Sequence, residues 1–320
     1  MANTTRTEVP AEVNNFYSRA LLERAVPALV YTRFGQVRDI PMNSGSDTVK
    51  FRRYGSLTAA TTPLTEGVTP SGSQLSVTDI TASLDYYGDY VTLTDKLQYE
   101  TIDPILTETA EVLGEQAGDT LDQVARDVLV AGTNVQYSGT ATSRSTVADV
   151  IDLTAIKKAV RTLKNGNAKP VTSMIDPSTG YNTQGIRPAF IGIVHPNTTY
   201  DLENVSGWVP VEKYADPSKA LPNEVGSVAG VRFLETTNAK VFTGAGSAGA
   251  DVYATLIVGK NAYGVTRLSG KSLENIVKPL GSAGSADPLN QRATSGWKAS
   301  FVAKILNDNF MVRIEHTVSA

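Results

Sequence analysis

The stretch 48–95 constrains this chain more than any other, because it has strand-forming ends and no core of its own. Its ends, 49–52 and 90–94, are rich in β-branched and aromatic residues, whereas Thr, Ser, Gly and Pro dominate the middle. A two-stranded ribbon is only marginally stable in water by itself. A connection this long is uncommon in a compact domain unless it has a function or packs on another chain. We therefore predict an extended β-hairpin loop that requires neighbouring subunits.

A single long helix is predicted after the loop, over 104–131. Asp103 provides an N-cap, Pro104 fits the first helical position, and Gly132 provides a C-terminal stop. The helical spacing repeats over about 28 residues, or roughly 42 Å. The predicted apolar stripe consists of Ile105, Thr109, Val112, Leu113, Ala117, Leu121, Val124 and Val128. We interpret the opposite face as that of a solvated, anionic rod, formed by Asp103, Glu108, Glu111, Glu115, Asp119, Asp122 and Asp127.

The rest of the chain mixes helix and strand patterns. Between 150 and 285, short β-rich runs alternate with amphipathic helical segments, which predicts an α+β domain. Apolar residues alternate at 297–305 and again at 310–314, with turn residues between them. We predict that these two runs form a C-terminal hairpin, which pairs with the strands flanking the extended loop and closes over the long helix.

Composition excludes several classes of function. With 320 residues, 41% of them hydrophobic, the chain is long enough to bury a large core. A net charge of −3 argues against a dedicated nucleic-acid binder, which would carry a basic surface. The absence of cysteine excludes disulfides and Cys-based zinc sites. Since neither an apolar signal region nor a membrane-length apolar run is present, we expect assembly in the cytoplasm.

The order of these elements resembles that of the major capsid proteins of tailed phages with the Hong Kong 97-type fold. Within that family the chain is more closely similar to the branch named after phage N-four. Five long strings carry the resemblance: LLERAVPALVYTRFGQVRDIP (21–41), TVKFRRY (48–54), LTEGVTPSG (64–72), YYGDYVTLTD (86–95) and SADPLNQRATSGWKASFVAKILND (285–308). The order of elements shows no large departure from that of the family.

The resemblance implies an α+β fold of the Hong Kong 97 type, divided into five parts. These parts are an N-terminal arm (1–47), the extended β-hairpin loop (48–95), a peripheral domain (96–149) with the spine helix 104–131, an axial domain (150–285), and C-terminal return strands of the peripheral domain (286–320). A short helix is expected in the arm at 15–25. Because the arm begins almost at Met1, we expect no long cleaved segment before it.

In function, the resemblance implies a major capsid protein of the virion. Copies of such a protein self-assemble into hexamers and pentamers of an icosahedral shell that encloses double-stranded phage DNA. The implied partners are other copies of the chain, a scaffolding protein, a portal and, in some shells, a decoration protein, with no sequence-specific DNA contacts and no membrane. Some relatives weld their shells with isopeptide bonds from a loop lysine. Residues 54–85 contain no lysine, so no such weld is expected here.

Charge and apolar residues suggest where subunits meet. The arm and the start of the loop are basic and the long helix is acidic, so we expect complementary contacts between subunits. The candidate ion pairs join Arg33, Arg38, Arg52 and Arg53 to Glu108, Glu111 and Glu115. The candidate loop contacts are Leu57, Leu64, Val68, Leu75, Val77 and Ile80, with Glu66 as the loop-tip charge. Each charge has two alternatives, which are solvation or a contact inside its own subunit.

Fragments of catalytic motifs occur in the chain, but they do not predict an enzyme. The glycines of 244–249 have the spacing of a dinucleotide-binding loop, yet a β-run follows them, so we interpret them as a hairpin loop. Ser295 and Lys298 match S-x-x-K without its accompanying motifs. The two histidines, His195 and His316, have no third ligand at a recognisable spacing. We therefore expect no catalytic residue, no cofactor and no metal.

Three other functions stay open at this point. The main alternative is an encapsulin-type bacterial nanocompartment of the same fold, which a co-expressed cargo enzyme would identify. A hydrolase or an oxidoreductase would require a nucleophile, a base and oxyanion donors that the sequence does not assemble. A secreted β-rich surface protein would require a signal segment, which is missing at the N-terminus.

Overall fold

The computed structural model describes residues 29–40, 48–55, 57–100, 105–175, 183–214, 220–267, 273–282 and 287–319. The predicted arm helix at 15–25 and the predicted N-cap Asp103 lie outside these residues. None of the described helices is both long enough and apolar enough to cross a membrane.

The described residues form a mixed α+β structure. Its α-helices are α1 (Asp95–Glu100), α2 (Ile105–Val130), α3 (Leu153–Asn165) and α4 (Pro196–Glu203). Its strands are β1 (Gln36–Arg38), β2 (Thr48–Tyr54), β3 (Val77–Ser83), β4 (Asp85–Thr94), β5 (Val135–Tyr137), β6 (Val171–Ile175), β7 (Thr183–Val194), β8 (Val209–Pro210), β9 (Glu224–Val228), β10 (Val231–Glu235), β11 (Val241–Phe242), β12 (Val252–Val258), β13 (Tyr263–Thr266), β14 (Leu273–Lys278), β15 (Arg292–Phe301), β16 (Ala303–Ile305) and β17 (Met311–His316).

The loop is a β-hairpin, but its second strand differs from the predicted one. Strand β2 pairs antiparallel with β3, with Thr48 opposite Ser83 and Tyr54 opposite Val77. Residues 90–94, which were predicted to form the far end of the hairpin, belong to β4 and pair with β15. Both segments have strand-forming composition, and composition does not reveal which segment becomes the partner, because strand pairing depends on distant contacts.

A three-stranded sheet lies against the long helix. Strand β15 is central, with β4 antiparallel on one side over ten residue pairs and β14 antiparallel on the other. One face of this sheet packs on α2, since Trp297, Ala299 and Phe301 share a buried cluster with Leu113 and Leu121. The opposite face of the sheet points away from the helix.

Helix α2 buries much of the predicted stripe, since Leu113, Ala117 and Leu121 are buried and Thr109, Val124 and Val128 are half-buried, but two residues differ from the prediction. Val112, which was predicted to be buried, is 64% exposed, whereas Asp122, which was predicted to be solvated, is fully buried. The buried side chains among the described ones are Ala110, Leu113, Ala117, Leu121, Asp122, Ala125, Leu129 and Val130. Asp122 tolerates burial because two backbone N–H groups bind its carboxyl group. The interpretation of the helix as a uniformly solvated anionic rod is therefore wrong at this residue.

A nine-stranded sheet is built from strands between Val135 and His316. Its main path runs β5-β17-β12-β7-β10-β9-β8, with β11 paired to β12 and β6 paired to β7. Every residue of β12 is buried, and α3 packs its apolar side on this sheet through Ile156, Val160 and Leu163. This region contains the helices and strands of the predicted α+β domain.

The predicted hairpin between the two C-terminal runs is wrong, although the first run, in β15, does pair with β4 beside the loop and pack on α2 as predicted. Strand β16 pairs with β13, which also pairs with β1, whereas β17 enters the nine-stranded sheet between β5 and β12. Residues 307–310 do turn the chain, but the strands on either side join different sheets. The physical reason is burial, because all six residues of β17 are buried and a strand covered on both faces needs a central place in a sheet.

Candidate assembly interface

The tip of the hairpin projects from the body of the subunit. Every residue from 57 to 76 is exposed, and the predicted contact Leu64 is 77% exposed. The predicted contacts Leu57, Val68, Leu75 and Val77 are exposed too. The tip therefore presents apolar side chains that its own subunit does not cover.

A tight turn forms the apex of this tip. Val68 N–H donates to Thr65 O at 3.1 Å, and Gly67 has φ +77°, a backbone conformation that glycine adopts without strain. Glu66 occupies the turn and is the only charged residue between 55 and 76. The sequence-predicted loop-tip charge therefore lies at the outermost part of the loop.

The stem of the hairpin is fixed to the body. Phe51 is fully buried and forms a small cluster with Val49, Ala82 and Leu306, against which the predicted contact Ile80 is half-buried. Phe51 packs so closely on Gly264 that an added Cβ there would lie 2.4 Å from its ring. The stem is thus anchored, whereas the tip is not.

The four candidate arginines have different surroundings. Arg38 is exposed on β1. Arg52 pairs across the hairpin with Asp79 at 3.0 Å, and Arg53 donates to Leu306 O at 3.2 Å. Arg33 is only 4% exposed and donates to Pro222 O at 3.3 Å. Arg33 is therefore buried in its own subunit, in a segment that the apolar Val30, Tyr31 and Phe34 carry into the core.

The candidate carboxylates lie on α2, with Glu108 and Glu115 exposed and Glu111 half-buried. Among the residues that the structure describes, no group of three or more His, Asp or Glu side chains could hold a metal ion.

A second exposed surface, absent from the sequence-based predictions, lies on the outer face of the three-stranded sheet. We name it the tyrosine face; it consists of Tyr86, Tyr90, Ile276, Lys278, Arg292 and Lys298. These side chains line an open groove of about 890 Å³. Gly88 and Gly296 have no side chains to fill the groove, and the ammonium group of Lys298 lies 4.9 Å from the centre of the Tyr86 ring. The period-two spacing of Tyr86, Gly88 and Tyr90 is the sequence signal that indicates this face.

Gln116 ties the three-stranded sheet to the helix. Its Nε2 donates to Asp89 Oδ2 at 2.7 Å, and its Oε1 accepts from Trp297 Nε1 at 3.1 Å. The Gln116 bond, together with the N–H of Tyr90, lowers the pKa of Asp89 below its usual value. Through these hydrogen bonds, one side chain of α2 contacts both β4 and β15.

The motif fragments have structural positions. Residues 244–249 lie in the loop between β11 and β12, which pair antiparallel, so the hairpin-loop prediction is confirmed. Ser295 is buried in β15 while Lys298 points outward. His195 caps α4 through a bond from Asn197 N–H to its Nδ1. His316 is fully buried, and this burial lowers its pKa to about 4.

Comparison with known proteins agrees with this geometry. The capsid of Ralstonia phage GP4 has a similar structure, with a TM-score of 0.69 and 15% sequence identity over 90% of this chain and 88% of that chain. The Cyanophage Pam1 capsid gives 0.64 and 15% over 93% and 92%. The head of Helicobacter pylori bacteriophage KHP40 gives 0.63 and 14% over 88% and 87%. At these identities the likeness shows the fold, which is that of Hong Kong 97-type capsids.

The sequence itself supplies the family. Among curated proteins no relative matches, and no match separates the N-four branch from other branches, so that finer assignment stays a prediction. Nothing in the matched structures favours the nanocompartment alternative over a phage capsid. A family model described as phage capsid protein matches residues 77–314, which is well over half of the chain. The chain therefore belongs to the phage capsid protein family and is a major capsid protein.

Proposed function

We propose that this capsid protein acts without enzymatic activity, as a subunit that assembles with its own copies into hexamers and pentamers of an icosahedral shell around double-stranded DNA. The observation that carries this proposal is the loop tip, whose apolar side chains are exposed in the single subunit. Exposed apolar residues on a ribbon promote association between chains. A shell gives each tip a neighbouring subunit on which to pack.

The tyrosine face is the surface that receives this tip in the proposed assembly. It offers exposed Tyr86, Tyr90 and Ile276 for apolar contact. Lys278, Arg292 and Lys298 are its positive charges, and we propose that they attract Glu66. Glu274 lies in register with Lys298 on the neighbouring strand. Each subunit gives one tip and receives another, so the contact is head-to-tail and generates rings or sheets of subunits.

The strength of such a contact comes from many small contributions. At about 25 cal/mol per Å² of apolar surface, covering the loop-tip side chains stabilises each contact by a few kcal/mol before the cost of association. Contacts of this size are individually reversible, which permits correction while a shell grows. A closed shell becomes stable because each subunit makes several such contacts.

The other partners follow from the same proposal. A scaffolding protein and a portal would act during assembly, and a decoration protein would bind the finished shell. The net charge of −3 provides little attraction to DNA phosphates, which supports a shell that encloses DNA without binding it tightly. Its location is the virion capsid, and we propose the host cytoplasm as the place of assembly.

Engineered disulfides test the loop contact, because the chain contains no native cysteine. Cysteine would replace Leu64, Val68 or Leu75, each combined with Ile276→Cys on the tyrosine face. We expect at least one pair to yield a ladder of linked subunits on a non-reducing gel after mild oxidation of assembled particles, since a disulfide forms when the two Cα atoms lie within about 7 Å. Reductant should restore the single band.

The matched control combines the same loop cysteines with Val112→Cys, an exposed apolar residue on α2. We expect no ladder from this combination. If particles form and the Val112 pairs react while the Ile276 pairs do not, the tip binds the helix and not the tyrosine face.

A separate prediction concerns covalent welding of the wild-type shell. Because residues 54–85 contain no lysine, we expect boiled shells to run as a single band at the subunit mass of 34.1 kDa on a denaturing gel. A ladder from wild-type shells under reducing conditions would overturn this expectation.

A further inference from the structure

A buried carboxyl group joins the segment Leu29, Val30, Tyr31, Thr32, Arg33 and Phe34 to α2. Asp122 Oδ1 accepts hydrogen bonds from Val30 N–H and Tyr31 N–H, both at 2.8 Å. The segment and the carboxyl group are buried together. No residue near in sequence makes this bond, since 91 or more positions separate the partners. Asp122 thus serves as the acceptor at the start of the turn at 31–34.

Two further bonds hold the same segment. Tyr263 OH on β13 donates to Tyr31 O at 2.5 Å, and Arg33 donates to Pro222 O. Three separate parts of the subunit therefore meet at 29–34: the helix α2, the strand β13 and the chain before β9. A change in the Asp122 bonds alters how the helix is attached to the other two.

The surroundings of Asp122 disfavour its ionised form. Oδ2 has no hydrogen-bond donor among the described residues. The groups that face the carboxyl are the two N–H donors, Asn238 and Arg33, all of which favour the charged form, but desolvation outweighs them and raises the pKa of Asp122 to about 7. The other titratable groups around Tyr31 are Tyr263, Arg126 and Asp127. Burial also raises the pKa of the Tyr31 and Tyr263 phenols, so neither phenol ionises near neutral pH.

We propose that Asp122 is a proton-operated latch, which fastens the segment 29–34 to α2 in acid and loosens it as the pH rises toward neutrality. The sign follows from linkage. In the closed state, in which the segment 29–34 is bound to α2, the raised pKa means that the Asp122 carboxyl keeps its proton more readily than in the open state. Closure is therefore fully favoured below the ordinary pKa of 3.8. It weakens as the pH rises from 3.8 to the raised pKa of about 7, and levels off above it. The latch itself does not depend on the proposed capsid function. If the subunit builds a shell as proposed above, the latch makes the attachment of the segment 29–34 in that subunit depend on pH.

Hydrogen exchange on unassembled subunits tests the latch. We expect exchange at Val30 and Tyr31, corrected for the intrinsic rate, to accelerate about 50-fold between pH 5 and pH 7 and then to level off. Asp122→Asn keeps an oxygen acceptor but cannot ionise, so its corrected profile should be flat. Glu115→Gln, which removes an exposed carboxylate from the same helix, should keep the wild-type slope.

Two outcomes overturn the latch: a flat wild-type profile, or an Asn variant with the wild-type slope. If the Asn variant fails to fold, carboxyl ¹³C NMR of the wild type decides, since the latch requires one aspartate that titrates near pH 7. These readouts need no assembled shell, so a failure of the latch and a failure of the capsid proposal are distinguishable.

Discussion

Replacement of Glu315 by Ala is expected to lower the free energy of unfolding of the subunit by about 3–5 kcal/mol. Glu315 is fully buried on β17 and accepts from two arginines. Arg144 contacts both of its carboxylate oxygens, at 2.8 Å and 2.7 Å, and Arg313 donates to Oε1 at 2.8 Å. Among the described residues, loss of the carboxylate leaves the buried guanidinium of Arg313 with the neutral Gly132 O as its remaining partner, and an uncompensated buried charge is costly.

Urea unfolding of the unassembled variant measures this effect. Arg144 retains its place over the Phe242 ring, 3.5 Å from the ring centre, so the loss should be due chiefly to Arg313. A matched control is Asp79→Ala, which removes the exposed partner of Arg52 and should change stability far less, because water replaces the pair. A Glu315 variant as stable as the control would contradict the account of the buried pairs.

Shortening the loop should abolish assembly and leave the subunit folded. The backbone at the base of the tip is already closed by the bond from Gly55 N–H to Ser76 O at 2.9 Å. Replacing residues 56–75 with Asn-Gly therefore allows a two-residue hairpin turn at the same place. The tip contains no described buried residue, so the melting temperature of the subunit should be nearly unchanged.

The effect on assembly should be large, because each subunit loses the contact it gives and the contact it receives. If covering the tip contributes about 4 kcal/mol, its loss raises the concentration needed for assembly about 1,000-fold. Sedimentation of the variant and of the wild type at matched concentrations measures this change. Shells formed by the shortened variant at wild-type concentrations would show that the tip is dispensable.

The sequence predicts local structure well where a strong period or end signal is present. Helix α2 was predicted from its three- and four-residue spacing and from Gly132, and the structure begins and ends it within one residue of the prediction. The burial of Asp122 on this helix was not predictable from hydrophobicity, because its hydrogen bonds come from a segment about 90 residues away. The exposure of Val112, which was predicted to be buried, was likewise not indicated by the three- and four-residue spacing.

The sequence also failed to predict which strands pair and how the tyrosine face is assembled. Strands β3 and β4 both have strand-forming composition, and only the folded arrangement selects β3 as the partner of β2. Strand β17 follows β16 after a short turn, yet its burial on both faces carries it into another sheet. The tyrosine face requires β4, β14 and β15 together, so the spacing of the tyrosines in β4 indicates only the part of the face that this strand contributes.

Electron microscopy of the purified wild-type chain, beside the loop-shortened variant, tests the central claim most directly. We predict closed shells, tubes or capsomers from the wild-type chain, expressed alone or with a scaffolding protein, and dispersed folded subunits from the variant. A wild-type chain that stays monomeric under both conditions, with its loop cleaved readily by protease, would contradict the claim that this protein builds a shell through its exposed loop.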